Sequence, residues 1–288
     1  MTRHQQVKGL PEYGRCAVFG ILNITPDSFS DGGINLDAET AVAHGIAAMR
    51  AGVDVLDVGG ESTRPGAARV SAEEELRRVL PVVEGLVAAG ATVSVDTMRA
   101  AVARRCVASG AQIVNDVSGG LADPEMFGCV ADLDVPYILM HWRGHSVDMG
   151  SRAKYADVVR EVGEELAERL AAAVDAGIDA ERIVLDPGLG FAKNAEHDWA
   201  LLRGQQRLQA ELGRPLLIGQ SRKRFLGALL TDEQGLPRPA AERDAATLAV
   251  TAVAAERGAW AVRVHAADAA ADVVRAVAAM SPSEGGGR

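Results

Sequence analysis

The chain has 288 residues, is 48% hydrophobic but only 4% aromatic, and carries a net charge of −9 from 39 acidic and 30 basic residues. That is enough apolar content for a sizeable core of Ala, Val and Leu, and the acidic balance argues against nucleic acid as a main partner, because neutralising phosphates needs a basic surface. The three cysteines (Cys16, Cys106 and Cys129) form no CxxC pair, which excludes a disulfide framework. No run approaches the ~18 apolar residues of a membrane span, and Met1 to Gly14 has no apolar signal-peptide segment. The expectation is a soluble, cytoplasmic protein.

In chain order, residues 1–14 read as a flexible N-terminal arm. One phrase then recurs: an alanine-rich helical segment, a glycine, and a short β-branched run ending in polar residues. It appears in "MRAGVDVLDVGG", "VAAGATVSVDT", "VASGAQIVNDVSGG", "VDAGIDAERIVLDPG" and "AERGAWAVRVH". Gly52, Gly90, Gly110, Gly177 and Gly258 fall where a helix C-cap calls for a left-handed residue. The runs after them are short and rich in Val and Ile, so they read as strands. The pattern predicts eight strands: 17–24, 53–58, 92–96, 113–116, 137–141, 183–186, 216–219 and 261–265. Helices are expected over 37–51, 72–89, 99–109, 124–131, 157–176, 198–212, 241–257 and 268–280. Eight strands, each followed by a helix, in residues 15–280 predict a single-domain α/β (β/α)8 TIM barrel with long loops after strands 1 and 2. An open doubly wound sheet is the alternative, weakened because no GxGxxG follows strand 1. The "SPSEGGGR" ending, 281–288, reads as a disordered tail.

In such a barrel the C-terminal strand ends form the active-site mouth. Here they carry Asn23, Asp57, Asp96, Asn115 with Asp116, His141, Asp186, and Arg263 with His265, with Lys223 just after strand 7. Any one of these could cap a helix or close a turn, and Asp57 and Asp116 read that way. The whole set points instead to one polar cavity. Arg263 and His265 are two apart and share a strand face. Together with Lys223 they suggest an anionic group of substrate, the bland alternative being pairing with nearby carboxylates. Asp96 and Asp186, flanking Asn115, need donors if buried, either Lys223 or a ligand with a row of N–H groups. The loops "TPDSFSDGG" and "GGESTRPGAARV" combine hydroxyls, glycines and charge, as a lid over an anion does. His4, His44, His145 and His197 read as solvated. No HExxH, Cys/His cluster or GxSxG appears, so zinc and a serine triad have no support.

The stretches "GILNITPDSFSDGG", "DVGGESTRPGA", "SVDT", "NDVSGG", "LDPGLGFAK", "GQSRKRFLG" and "RVH" resemble the dihydropteroate synthases of folate biosynthesis, in a form close to the actinobacterial one. The resemblance implies a transferase that condenses 6-hydroxymethyl-7,8-dihydropterin pyrophosphate with para-aminobenzoate, releasing pyrophosphate. It implies a pterin site at Asp96, Asn115, Met140, Asp186, Phe191 and Lys223, with Asp96, Asp186 and Lys223 carrying the chemistry. It further implies pyrophosphate contacts at Asn23, Thr63, Arg64, Arg263 and His265, and Mg2+ held at Asn23. Para-aminobenzoate, and competing sulfonamides, would meet Phe29, Pro65, Phe191, Ser221, Arg222 and Lys223. Family members pair as homodimers, so a dimer is expected. Competing readings are a pterin-dependent methyltransferase domain, which would not need the SRK and RVH groups, and a non-catalytic pterin-binding paralogue, whose motifs should be damaged. Two departures stand out: Gln220, where a small residue is usual, and the "MHWRG" segment with Trp142. The bulkier Gln220 is expected beside the arylamine pocket.

Overall fold

The computed structural model describes residues 5–24, 34–61, 69–144 and 152–280, the side chains of 34–37 excepted. The strands are β1 (Ala17–Asn23), β2 (Val55–Gly59), β3 (Val93–Asp96), β4 (Ile113–Asp116), β5 (Tyr137–Met140), β6 (Ile183–Asp186), β7 (Leu217–Ile218) and β8 (Ala261–Val264). All pairings are parallel, in the order β6-β5-β4-β3-β2-β1-β8-β7. A parallel bridge between Leu185 and Leu216 joins the two ends of that order, completing the (β/α)8 barrel. Around it lie α1 (Ile34–Ala51), α2 (Ala72–Ala88), α3 (Ala100–Ala108), α4 (Met126–Leu133), α5 (Val158–Asp175), α6 (Ala195–Arg203), α7 (Gln205–Leu212), α8 (Arg224–Leu229), α9 (Asp244–Glu256) and α10 (Ala267–Met280).

The glycines after the helices behave as the sequence predicts: Gly52, Gly90, Gly110, Gly177 and Gly258 have φ from 82° to 102°. That conformation is costly for a residue with a Cβ. Two helical expectations change. The helix expected over 198–212 is two helices broken at Gly204, where an added Cβ would lie 2.8 Å from Val159 Cγ1 on α5. Close helix–helix approach therefore sets the break. The six-residue α8 is too short to leave a periodic signal. β7 is only two residues long, shorter than expected.

Two hydrophobic layers follow from strand alternation, since successive side chains point to opposite faces. Outward residues pack under the helices as the larger core. Inward residues Ala17, Phe19, Val55, Ile113, Ile138, Val184, Leu217 and Ala261 meet at the lower end of the barrel, together with Trp260, Val7 and Leu10. The arm expected to be flexible thus contributes to the core along residues 5–14. Val7 and Leu10 are buried, and Tyr13 and Phe19 both meet Trp260 edge-on, at 6.3 and 5.7 Å between ring centroids. The tail, 281–288, lies outside the described residues.

Candidate active site

Counting two residues up each strand from the lower plug keeps a side chain on the inner face. From Val55 that step reaches Asp57, from Ile113 Asn115, from Ile138 Met140, from Val184 Asp186, and from Ala261 Arg263 and then His265. The same pleat that packs the plug builds the upper polar chamber. Asp96, Asn115, Met140 and Asp186 are all buried there.

On one side of the chamber Arg263 joins two carboxylates. Its Nε donates to Asp57 Oδ2, and its Nη2 to Asp96 Oδ2 at 2.5 Å. Asp57 also accepts from Asn115 Nδ2, at 3.2 and 3.3 Å. Burial raises the Asp96 carboxyl to about 7, although the Arg263 guanidinium pulls the other way. Burial would lower the Arg263 guanidinium, but Asp57 and Asp96 together push it up. On the other side, Asp186 accepts from Gly188 N at 2.7 Å. Its pKa is also raised by burial, against the pull of Lys223. Lys223 donates to the Leu189 carbonyl, and its ammonium stands 4.8 Å from the Phe191 ring centroid. Burial brings Lys223 down to about 8, against Asp186 and Asp198.

The structure therefore brings Asp96, Asn115, Met140, Asp186, Phe191, Lys223 and Arg263 to one end of the barrel. Ser221 joins them through His265, its Oγ lying 2.9 Å from His265 Nδ1 and accepting from His265 N at 3.1 Å. Asn23 closes β1 beside Gly59. Thr63, Arg64, Pro65 and Phe29 lie outside the described residues. No group of three or more His, Cys, Asp or Glu side chains suited to a metal occurs among the described residues. A hard cation held by one carboxamide and the phosphates of a substrate needs no such cage, and Asn23 fits that role.

Four expectations are corrected. Asp57, read as a cap or turn residue, is a buried member of the chamber, as its step from Val55 requires. His141 does not face the chamber. It is one step beyond the inward Met140, so it points outward, where Nε2 meets Glu165 Oε2 at 3.0 Å and Nδ1 meets Lys193 Nζ at 2.9 Å. Burial and the neighbouring Lys193 lower its pKa to about 4, so the ring is neutral. Gln220 also points outward, from the inward Gly219, and binds Thr251 on α9 instead of lining a ligand pocket. His197, read as solvated, caps α6 and stacks edge-on against Tyr155 at 5.0 Å. Asp116 is the turn residue expected: it accepts from Ser118, Gly120 and Tyr137.

Sequence reasoning also missed Lys193. Its buried ammonium donates to the Gly188 and Phe191 carbonyls at 3.0 Å each and to His141, lashing the loop after β6 in place. Burial lowers its pKa to about 7. The strand-end parity was available as a signal for Asp57 and His141. The stretch "LDPGLGFAK" ends on Lys193, but nothing local in it marks the role of that residue, because its partners come from two different strand ends.

Comparisons agree with this architecture. The family of pterin binding enzymes matches residues 19–265. The chain is 52% identical to the dihydropteroate synthase of Mycobacterium leprae over 263 residues, covering 91% of this chain and 92% of that one. The structure superposes on Xanthomonas albilineans dihydropteroate synthase with 4-aminobenzoic acid at a TM-score of 0.85 and 46% identity, covering 93% and 94% of the two chains. With the same enzyme in complex with 7,8-dihydropteroate, the TM-score is 0.83 at 42% identity, over 96% and 98%. An intact strand-end polar set on the matching barrel fits this result, and the chain belongs to the pterin binding enzymes, among the dihydropteroate synthases.

Proposed function

We propose that the chain condenses 6-hydroxymethyl-7,8-dihydropterin pyrophosphate with para-aminobenzoate, forming 7,8-dihydropteroate and pyrophosphate. The observation that carries this reading is the chamber's pairing of two buried carboxylates, Asp96 and Asp186, with Asn115 and Lys223 at the strand ends. Carboxylates so buried need donors, and the N–H edge of a pterin supplies them in parallel.

In this mechanism the C–O bond between the pterin methylene and pyrophosphate breaks first. Positive charge then spreads over the pterin, and ionised Asp96 and Asp186 stabilise it electrostatically from their buried positions. The arylamine nitrogen forms the new C–N bond and gives up a proton, so no protein nucleophile is needed. Lys223 and Phe191 border both substrates, with Ser221 and Arg222 toward the arylamine and Met140 against the pterin. Arg263 and His265 face the anionic end. The Arg263 guanidinium binds Asp57 and Asp96, so an anion would share it with those carboxylates. Thr63 and Arg64 are proposed as further anion contacts, and Phe29 and Pro65 as walls of the arylamine pocket. Mg2+, held by Asn23 and the pyrophosphate, would neutralise the leaving group.

The decisive experiment measures pyrophosphate release by purified protein with Mg2+, with and without para-aminobenzoate. Release that depends on the arylamine and yields dihydropteroate supports the reading. Pterin binding without product overturns it. The same preparation should sediment as a homodimer. Exposed Leu229 and Leu236 at α8 and the loop beyond it offer apolar surface for such a contact. No helix among the described residues is long and apolar enough to cross a membrane, and a cytoplasmic location is proposed.

A further inference from the structure

The turn Gln220–Lys223 contains a strained residue held by an unusual number of bonds. Arg222 has φ 56°, a left-handed conformation that favours glycine. Such a backbone persists only where its surroundings over-determine it. The backbone N–H and carbonyl of Arg222, and its Nε and Nη2, all bond to α9 or the residue just before it. Thr247 Oγ1 accepts from Arg222 N at 3.1 Å, and Arg243 Nη1 donates to the Arg222 carbonyl at 2.8 Å. The Asp244 carboxylate takes the Arg222 guanidinium through two bonds of 2.7 Å. Arg243 Nη1 reaches the Lys223 carbonyl as well. Gly227 leaves it room, since a Cβ there would stand 2.5 Å from the Arg243 guanidinium carbon.

Gln220 completes the set. It is fully buried, and its Nε2 donates to Thr251 Oγ1 at 2.7 Å while its Oε1 has no partner. Thr251 in turn donates to the Thr247 carbonyl, one turn back. Thr247 and Thr251 are fully buried, and both meet this turn, through Arg222 N and Gln220 Nε2 respectively. Burying three side-chain polar groups and leaving one oxygen unpaired is unfavourable for folding alone.

We infer that Gln220, Thr247 and Thr251 are positioning residues: they fix the Gln220–Lys223 turn to α9, and so set where Ser221 and Lys223 meet the arylamine. This rests on the arylamine-binding reading of that turn given above. Of the groups at stake, Ser221 faces the arylamine and Lys223 borders both substrates, while Asp96 and Asn115 are held separately through Arg263 and Asp57. Loosening the turn should thus weaken the arylamine more than the pterin.

The test uses the full chain with Gln220→Met, Thr251→Val and Thr251→Ser. Gln220→Met keeps the volume, removes the unpaired oxygen and leaves Thr251 bonded to Thr247, so it should fold. A displacement of catalytic geometry by a fraction of an ångström supports an effect of about tenfold. The expected result is a KM for para-aminobenzoate about tenfold higher in Gln220→Met and Thr251→Val, with the KM for the pterin pyrophosphate within twofold. Thr251→Ser should restore the wild-type value. Calorimetric binding of para-aminobenzoate to pterin-loaded protein should weaken in parallel. An unchanged arylamine KM and affinity in folded Gln220→Met and Thr251→Val would overturn the inference, as would equal loss for both substrates. Wild-type protein that binds both ligands yet makes no product would sink the proposed reaction. The binding comparison would still decide the positioning role.

Discussion

A buried carboxylate that contacts no ligand atom in the proposed chemistry is the sharpest residue-scale result. Asp57 is fully buried and holds Asn115 and Arg263 together. Asp57→Asn keeps the shape but removes half of the charge opposing the Arg263 guanidinium. It also leaves Asn115 facing an amide. Pterin affinity should fall at least about tenfold, given that losing one partner of a buried charged hydrogen bond costs about 2–5 kcal/mol. Calorimetric titration with the pterin substrate checks this. Proton equilibria give a second test. Catalysis as proposed needs Asp96 ionised and Lys223 protonated. With Asp96 at about 7 and Lys223 at about 8, kcat/KM for the pterin pyrophosphate should be bell-shaped, narrow, and centred between those values. The stability sign for Lys223 is opposite to that of an ordinary ion pair. Its folded pKa lies below the ordinary lysine value of 10.5, so the unfolded chain binds more protons between about 8 and 10.5. Wild-type stability relative to Lys223→Met should therefore rise through that window, as urea unfolding at stepped pH would read. A difference independent of pH would contradict the buried, depressed ammonium.

Between elements, the recurring Gly after a helix is a conformational device that can be isolated. Gly177 has φ 102°, and an added Cβ would meet only Ala131 Cβ at an ordinary 3.5 Å. Gly177→Ala thus tests backbone strain with little clash, and should cost about 1–2 kcal/mol. Thermal unfolding would show it as a lower midpoint with unchanged activity, because the turn joins α5 to β6 at the end remote from the chamber. The period-2 and helix–Gly–strand patterns made these elements legible. The break at Gly204 was not legible, because it answers the approach of Val159 from another helix. The length of β7 was not legible either. Leu216, just before it, meets Leu185 only through the isolated bridge that joins the barrel's ends, although its carbonyl accepts from Trp260 N and Ala261 N.

At the scale of the whole molecule, stability and chemistry occupy opposite ends of one set of strands. The lower end is sealed by Val7, Leu10, Tyr13 and Trp260 over the inward Phe19 and Val55 layer. Leu10→Ala should cost about 2 kcal/mol, the lower end of the range for buried leucines. It should lower the unfolding midpoint and leave both substrate KM values unchanged. A change in KM would mean that plug and chamber are coupled. Residues 5–14 looked separable because their partners, such as Trp260 in packing and Glu181 in a backbone hydrogen bond, lie far along the chain.

By itself the sequence determined the barrel class, the eight-fold helix–strand rhythm and the strand-end polar set, because periodicity and turn chemistry are local properties of a chain. Strand alternation even assigned inner and outer faces once one inward residue per strand was known. Tertiary structure alone decided the partners. It decided that Arg263 binds Asp57 and Asp96 across the barrel, that Lys193 reaches His141, and that Gln220 turns away to Thr251. The physical reason is that a buried charge or amide is satisfied by whatever the closed barrel brings within about 3 Å, and those groups come from strands and helices distant in sequence.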